Sequence, residues 1–117
     1  MVKPSRPKRD RELARAFGQR LQKARRYAGL SQLELSAATG VSTPFISGLE
    51  RGVRQPSLST LVKLAGGLGV GVADLVVGLD QGEEPNAVET MKIIILLRKM
   101  TAVEARRAVG VIETLAK

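Results

Sequence analysis

Three observations predict an all-α fold. Apolar residues recur at helical spacing in successive stretches. A Ser, Asp, Asn or Thr stands before most of these stretches, and Glu follows the cap by three residues at Ser31 and at Thr101. Gly29, Gly40 and Gly52 then close three of them. At 117 residues and 44% hydrophobic content, the chain is long enough for one domain with an appendage and too apolar for a disordered one. The expected architecture is a five-helix domain over residues 11–77, a linker over 78–86 and a C-terminal two-helix extension over 87–117.

Residues 1–10 begin MVKPSRPKR, with two prolines and no apolar periodicity, and are expected to be a flexible basic arm. Asp10 is the candidate cap of a first helix over 11–28, with Leu13, Phe17, Leu21, Ala24 and Ala28 on its inner face. Ser31 and Glu34 form a capping box for a helix over 32–39, and Gly40-Val41 makes the turn after it. Ser42 caps a third helix over 43–50, with Pro44 in its first turn, where a missing N–H is tolerated. Leu35, Val41, Ile46 and Leu49 form the seam between these two helices, and Ser36 is small where they approach. After the stop at Gly52 and a loop over 53–56, Ser57 caps a helix over 58–68. Its inner face is read as Leu58, Leu61, Ala65 and Leu68. Gly66 and Gly67 within it each cost about 1 kcal/mol relative to Ala. A short helix over 72–77 buries Val72, Leu75 and Val76.

The linker GLDQGEEPN is polar, and Glu83-Glu84 in it reads as solvated charge. Asn86 then caps a helix over 87–99, and Thr101 with Glu104 opens one over 102–116. The former carries Val88, Met91, Ile93, Ile94, Ile95, Leu96 and Leu97, apolar nearly all round. Such a helix needs burial from more than one side. Either it folds back on the five helices or it meets a second subunit; the favoured expectation is a homodimer through residues 87–117.

Composition excludes much. Without Cys there are no disulfides or thiolate metal sites, and without His the commonest general base and metal ligand are missing. The carboxylates are scattered singly and no Gly-rich phosphate loop occurs, so neither enzyme activity nor a cofactor is expected. No apolar run approaches the roughly 18–20 residues of a membrane span, and the basic N-terminus lacks a signal-peptide core, so a cytoplasmic protein is expected. The net charge is +8, and residues 1–30 hold all of the excess: ten Lys/Arg face only Asp10 and Glu12 there. A polyanionic partner follows, because neutralising phosphates releases counterions; the alternative is a run that serves solubility alone. Only Phe17, Tyr27 and Phe45 are aromatic, which favours duplex DNA over single strands read by stacking.

Residues 31–52, SQLELSAATGVSTPFISGLERG, thus form two short helices about a tight turn. That is the layout of a helix-turn-helix, whose second helix enters the major groove; a plain helical hairpin is the alternative. The stretch closely resembles the helix-turn-helix of Cro/repressor-like (XRE) regulators of bacteria and phages. The resemblance rests on Ser31-Gln32, Gly40-Val41-Ser42, Ile46-Ser47, Leu49-Glu50, Gly52 and Pro56-Ser57. It covers residues 13–77 and implies a cytoplasmic, nucleoid-associated regulator. It further implies that Gln32 holds a backbone phosphate and that Arg25 pairs with Glu50 to fix the third helix.

The DNA-facing residues are expected at the start of that helix: Ser42, Thr43, Pro44 and Phe45, then Ser47 and Gly48 one turn on. Arg51 and Arg54 are placed to reach phosphates. Phe45 either contacts a base or covers the core edge. Related positions in the family often carry Gln, Asn or Arg; none stands here, so DNA shape, the arm and half-site spacing are expected to supply selectivity. Lys3, Arg6, Lys8 and Arg9 of the arm are candidates for the minor groove. The expected function is a sequence-specific double-stranded DNA-binding repressor, a homodimer on a pseudo-palindromic operator with half-sites roughly 34 Å apart. The alternative is an antitoxin-type or controller regulator whose C-terminal helices bind a protein partner.

Overall fold

The computed structural model describes residues 6–81 and 87–117. Lys3 of the arm, and Glu83, Glu84 and Asn86 of the linker, lie outside the described residues. Among the described residues there are seven α-helices and no strand: α1 (Arg6–Tyr27), α2 (Gln32–Thr39), α3 (Thr43–Glu50), α4 (Leu58–Leu68), α5 (Val72–Val76), α6 (Ala87–Lys99) and α7 (Ala102–Ala116), with a 3₁₀ turn at Leu79–Gln81.

Caps set most of the boundaries. Ser31, Ser42, Ser57 and Thr101 each accept a hydrogen bond from the backbone N–H three residues on, and so satisfy one of the free donors at a helix start. Gly40 ends α2 at φ 77°, a left-handed conformation that turns the chain sharply into α3.

The helices enclose one apolar cluster. Phe17, Leu21 and Ala24 of α1 meet Leu35 of α2, Val41, Ile46 and Leu49 about α3, and Leu64, Ala65 and Leu68 of α4, with Leu75 of α5. The four expected seam residues Leu35, Val41, Ile46 and Leu49 are all buried. Each large aliphatic side chain so buried is worth about 1.5–3 kcal/mol.

Two glycines let helix backbones approach. A Cβ on Gly18 would overlap the carbonyl oxygens of Leu49 and Glu50, so α1 and α3 cross in contact there. A Cβ on Gly67 would overlap the Thr39 methyl, so α4 lies against α2. Gly67 is therefore a packing residue, whereas Gly66 faces open space.

Several expectations change. Residues 6–10, expected within a flexible arm, are helical: α1 begins at Arg6, with Pro7 in the first turn where it removes no helical hydrogen bond. Asp10 consequently lies inside the helix instead of capping it. Leu13 is half-exposed. Leu58 is 73% exposed, and the wholly buried Leu64 takes its place on the inner face of α4. Val76 is also exposed, at the rim of a shallow apolar cleft between α1 and the 55–56 loop. The start of the linker is not free either, since residues 79–81 form a turn with Leu79 packed at the core edge.

Helix α6 belongs to this body. Met91 and Ile95 enter the same core, against α1. Arg98 bridges to Asp74 at 2.9 Å, Asp74 also accepts the Gly71 N–H at 2.7 Å, and Lys92 sits 5.8 Å from the Tyr27 ring centre. Only one face is covered, however, and Ile93 and Leu96 remain exposed. No residue of α7 is buried; Val103, Val109, Val111, Ile112 and Leu115 all face outward.

Candidate nucleic-acid interface

The outer surface of α3 is small and polar because its apolar residues are spent on the core. Ile46 and Leu49 are fully buried, while Ser42 and Pro44 are exposed and Thr43 and Ser47 half-exposed. The Ser42 hydroxyl oxygen caps the helix, accepting from Phe45 N–H at 3.2 Å. Its proton stays available as a donor. Phe45 is partly buried and packs against the edge of the core. Arg51, exposed at the end of α3, donates from Nε to the Ser47 hydroxyl at 3.4 Å.

Gly48 is not on the outer face. It is buried, and a Cβ there would stand 2.7 Å from Cγ of Arg54. The loop folds back so that the N–H groups of Val53 and Arg54 both donate to the Gly48 carbonyl, at 3.0 and 3.2 Å. This lays the aliphatic stem of Arg54 across Gly48 and leaves the residue exposed beside α3. The sequence signal that could have found this is a glycine mid-helix followed by a cation six residues on, too weak to use alone.

One ionic cluster fixes α3. Arg25 donates twice to Glu50, from Nε at 2.6 Å and from Nη2 at 2.9 Å, and from Nη1 to the Leu30 carbonyl at 2.8 Å. Gln32 adds a hydrogen bond from Nε2 to Glu50 Oε1 at 3.2 Å, which the sequence reading did not foresee. The paired carboxylate raises the Arg25 pKa above its ordinary value, the Glu50 hydrogen bond outweighing burial. A two-point guanidinium–carboxylate fork also fixes orientation. The start of α2, the end of α3 and the last turn of α1 are thereby held as one unit, with the Gln32 carbonyl oxygen and second amide proton left over at the α2 N-terminus. That terminus favours anions. The capping box depresses Glu34: the Ser31 backbone N–H, first, and its hydroxyl favour the carboxylate form.

The geometry is therefore two rigidly joined helices, the second offering a small polar face with cations at its far end. A family model described as helix-turn-helix matches residues 21–75. The HTH-type transcriptional regulator y4dJ of Sinorhizobium fredii is 39% identical over 70 residues, 60% of this chain and 91% of that protein. The chain belongs to the helix-turn-helix family of transcriptional regulators. The regulator is also similar to the HTH-type transcriptional regulator DdrOP3 of Deinococcus deserti, 40% identical over 62 residues, which is 53% of this chain and 48% of that one. The immunity repressor protein of Bacillus phage phi105 is 37% identical over 59 residues, 50% of this chain and 41% of the phage protein. The family is one of DNA-binding regulators of the XRE type, with double-stranded DNA as the partner. Among the described residues, no single helix of the regulator is long and apolar enough to cross a membrane.

Proposed function

We propose that this regulator is a repressor that binds, as a homodimer, a pseudo-palindromic operator inside the cell. The carrying observation is the division of α3 into a buried face, Ile46 and Leu49, and an outer face of Ser42, Thr43, Pro44 and Ser47. Thr43 and Ser47 offer hydroxyls to base edges, and Pro44 and the free edge of Phe45 offer apolar contact suited to a thymine methyl. Gln32, Arg51 and Arg54 meet phosphates. Arg25 and Glu50 hold the helix in place. None of the reading groups is bidentate, so the preferred sequence is selected partly through DNA shape. Similarity to the phage immunity repressor supports the repressor role.

The dimer reading is supported by the uncovered apolar residues of α6 and α7, Ile93, Leu96, Val109 and Ile112 among them. Light scattering at micromolar concentration checks it, and a monomer mass overturns it. The same surface supports a second reading, in which residues 87–117 hold a protein partner as in an antitoxin-type or controller regulator. An adjacent reading frame encoding a small toxin or a restriction enzyme would favour that reading.

Selection from a random duplex library tests the main proposal, followed by affinity for the winning site at two salt concentrations. An enriched palindrome bound about 10³-fold tighter than random DNA is the expected result. Binding without enrichment would instead mean a backbone-driven binder.

A further inference from the structure

The first three turns of α1 lie beside the loop that follows α3. Gln55 donates from Nε2 to the Asp10 carbonyl at 3.4 Å, and a Cβ on Gly52 would stand 2.9 Å from Cα of Arg15. Asp10, Arg11 and Ala14 share a shallow cleft with Val53 and Arg54. Lys8, Arg11 and Arg15 follow one another at helical spacing on this side of α1, in line with Gly18, which touches the end of α3. All three are exposed, as are Arg51 and Arg54, and among the described residues none of the five is in an ion pair. Asp10 lines the same cleft, and Glu12 stands one turn from both Lys8 and Arg15, with no ion pair to either among the described residues.

We infer that Lys8, Arg11 and Arg15 form a rigid backbone clamp that continues the Arg51–Arg54 edge and grips phosphates of duplex DNA outside the base-reading site. The inference rests on the DNA-binding reading above. It differs from a minor-groove arm for a steric reason. A helix with its side chains is about 10–12 Å across, and the minor groove of B-DNA is about 6 Å wide. A helical segment therefore meets the strand from outside. From Lys8 to Arg15 the helix rises about 10 Å, a span over which one strand presents about three phosphates. Backbone contacts of this kind supply affinity without sequence information. That suits a reading face without bidentate groups.

The test uses the full chain carrying K8Q, R11Q and R15Q together, titrated with salt against its selected site and against random duplex. Gln is a good helix former and the positions are exposed, so α1 persists, which circular dichroism checks. A control chain carries K63Q, K99Q and K117Q, the same charge change at exposed positions away from this edge. The clamp variant is expected to lower the slope of log K against log salt by about 2–3, and to bind on the order of 10²-fold more weakly at 0.1 M salt. The loss should be equal on both DNAs, leaving their affinity ratio intact, and the control should keep the wild-type slope. An unchanged slope in the clamp variant, or an equal fall in the control, overturns the clamp and leaves the DNA-binding reading standing. A wild-type chain that binds no duplex overturns both.

Discussion

Helices α2 and α7 begin alike. In each, a hydroxyl (Ser31 or Thr101) accepts the N–H of a glutamate three residues on, and that carboxylate accepts the cap's own N–H, at 3.0 Å in α2 and 3.2 Å in α7. They continue differently. Leu35 of α2 is wholly buried and Gln32 is tied to Glu50, while α7 buries nothing although it carries five outward-facing large apolar residues. A cap states where a helix starts and is silent on what covers it. Cover comes from residues remote in sequence, and among the described residues none of α7's side chains is buried.

The sharpest way to break this contrast is at Glu50. Glu50→Leu should lose about 3 kcal/mol or more in chemical denaturation, because the guanidinium of Arg25 is left buried without its carboxylate. The Arg25→Met/Glu50→Leu double variant should recover much of that. A double variant much worse than either single would show that the pair does not act as a unit. Next, Ile95→Ala should cost about 2–4 kcal/mol, as expected for a core position, while Leu115→Ala stays within about 0.5 kcal/mol of wild type in dilute protein. Equal losses would remove α6 from the body.

A smaller effect separates two adjacent glycines. Gly67→Ala forces a methyl into Thr39 and should lower stability by about 1–3 kcal/mol. Gly66→Ala fills open space and should raise it by about 0.5–1 kcal/mol. Thermal melts giving the opposite order would refute the close approach of α2 and α4. The smallest effect is in pH. Hydrogen bonds to the Ser31 backbone and hydroxyl, and to the Thr101 hydroxyl and backbone, hold Glu34 and Glu104 below the ordinary carboxylate value of 4.5. The contribution is thus complete above that value and is lost as pH falls through the lowered one. Amide exchange in acid should loosen the start of α7 before that of α2, which has tertiary contacts to hold it.

How much could be read in advance follows the same division. The bounds of α2, α3, α4 and α7 were legible because serine or threonine caps, glycine stops and periodic apolar residues act within a few positions of one another, and those of α6 because a long apolar run precedes the Thr101 cap of α7. The pairing of Arg25 with Glu50 was legible only through resemblance, since 25 residues separate the partners. Gly18, Gly48 and Gly67 were not legible at all. Each is defined by an atom it would strike on another segment, and a lone glycine in a helix otherwise reads as a weak spot. Leu58 and Leu64 were exchanged for a related reason: both fit the helical period, and only the position of α2 decides between them. Residues 6–10 read as a flexible arm because two prolines and no apolar periodicity mark them, though proline in a first turn is compatible with a helix.

The seat of Arg54 across Gly48 bears on how such a surface changes over generations. Any side chain installed at position 48 pushes the Arg54 stem aside, so a larger residue there arrives together with a displaced cation. Innovation at that site is tethered to loss. Thr43 and Pro44 stand at the other end of α3, away from Arg54, and substitutions there leave that residue in its seat. On the proposed reading, operator preference changes most freely through those two positions, because a side chain at position 48 meets the cation lying on it.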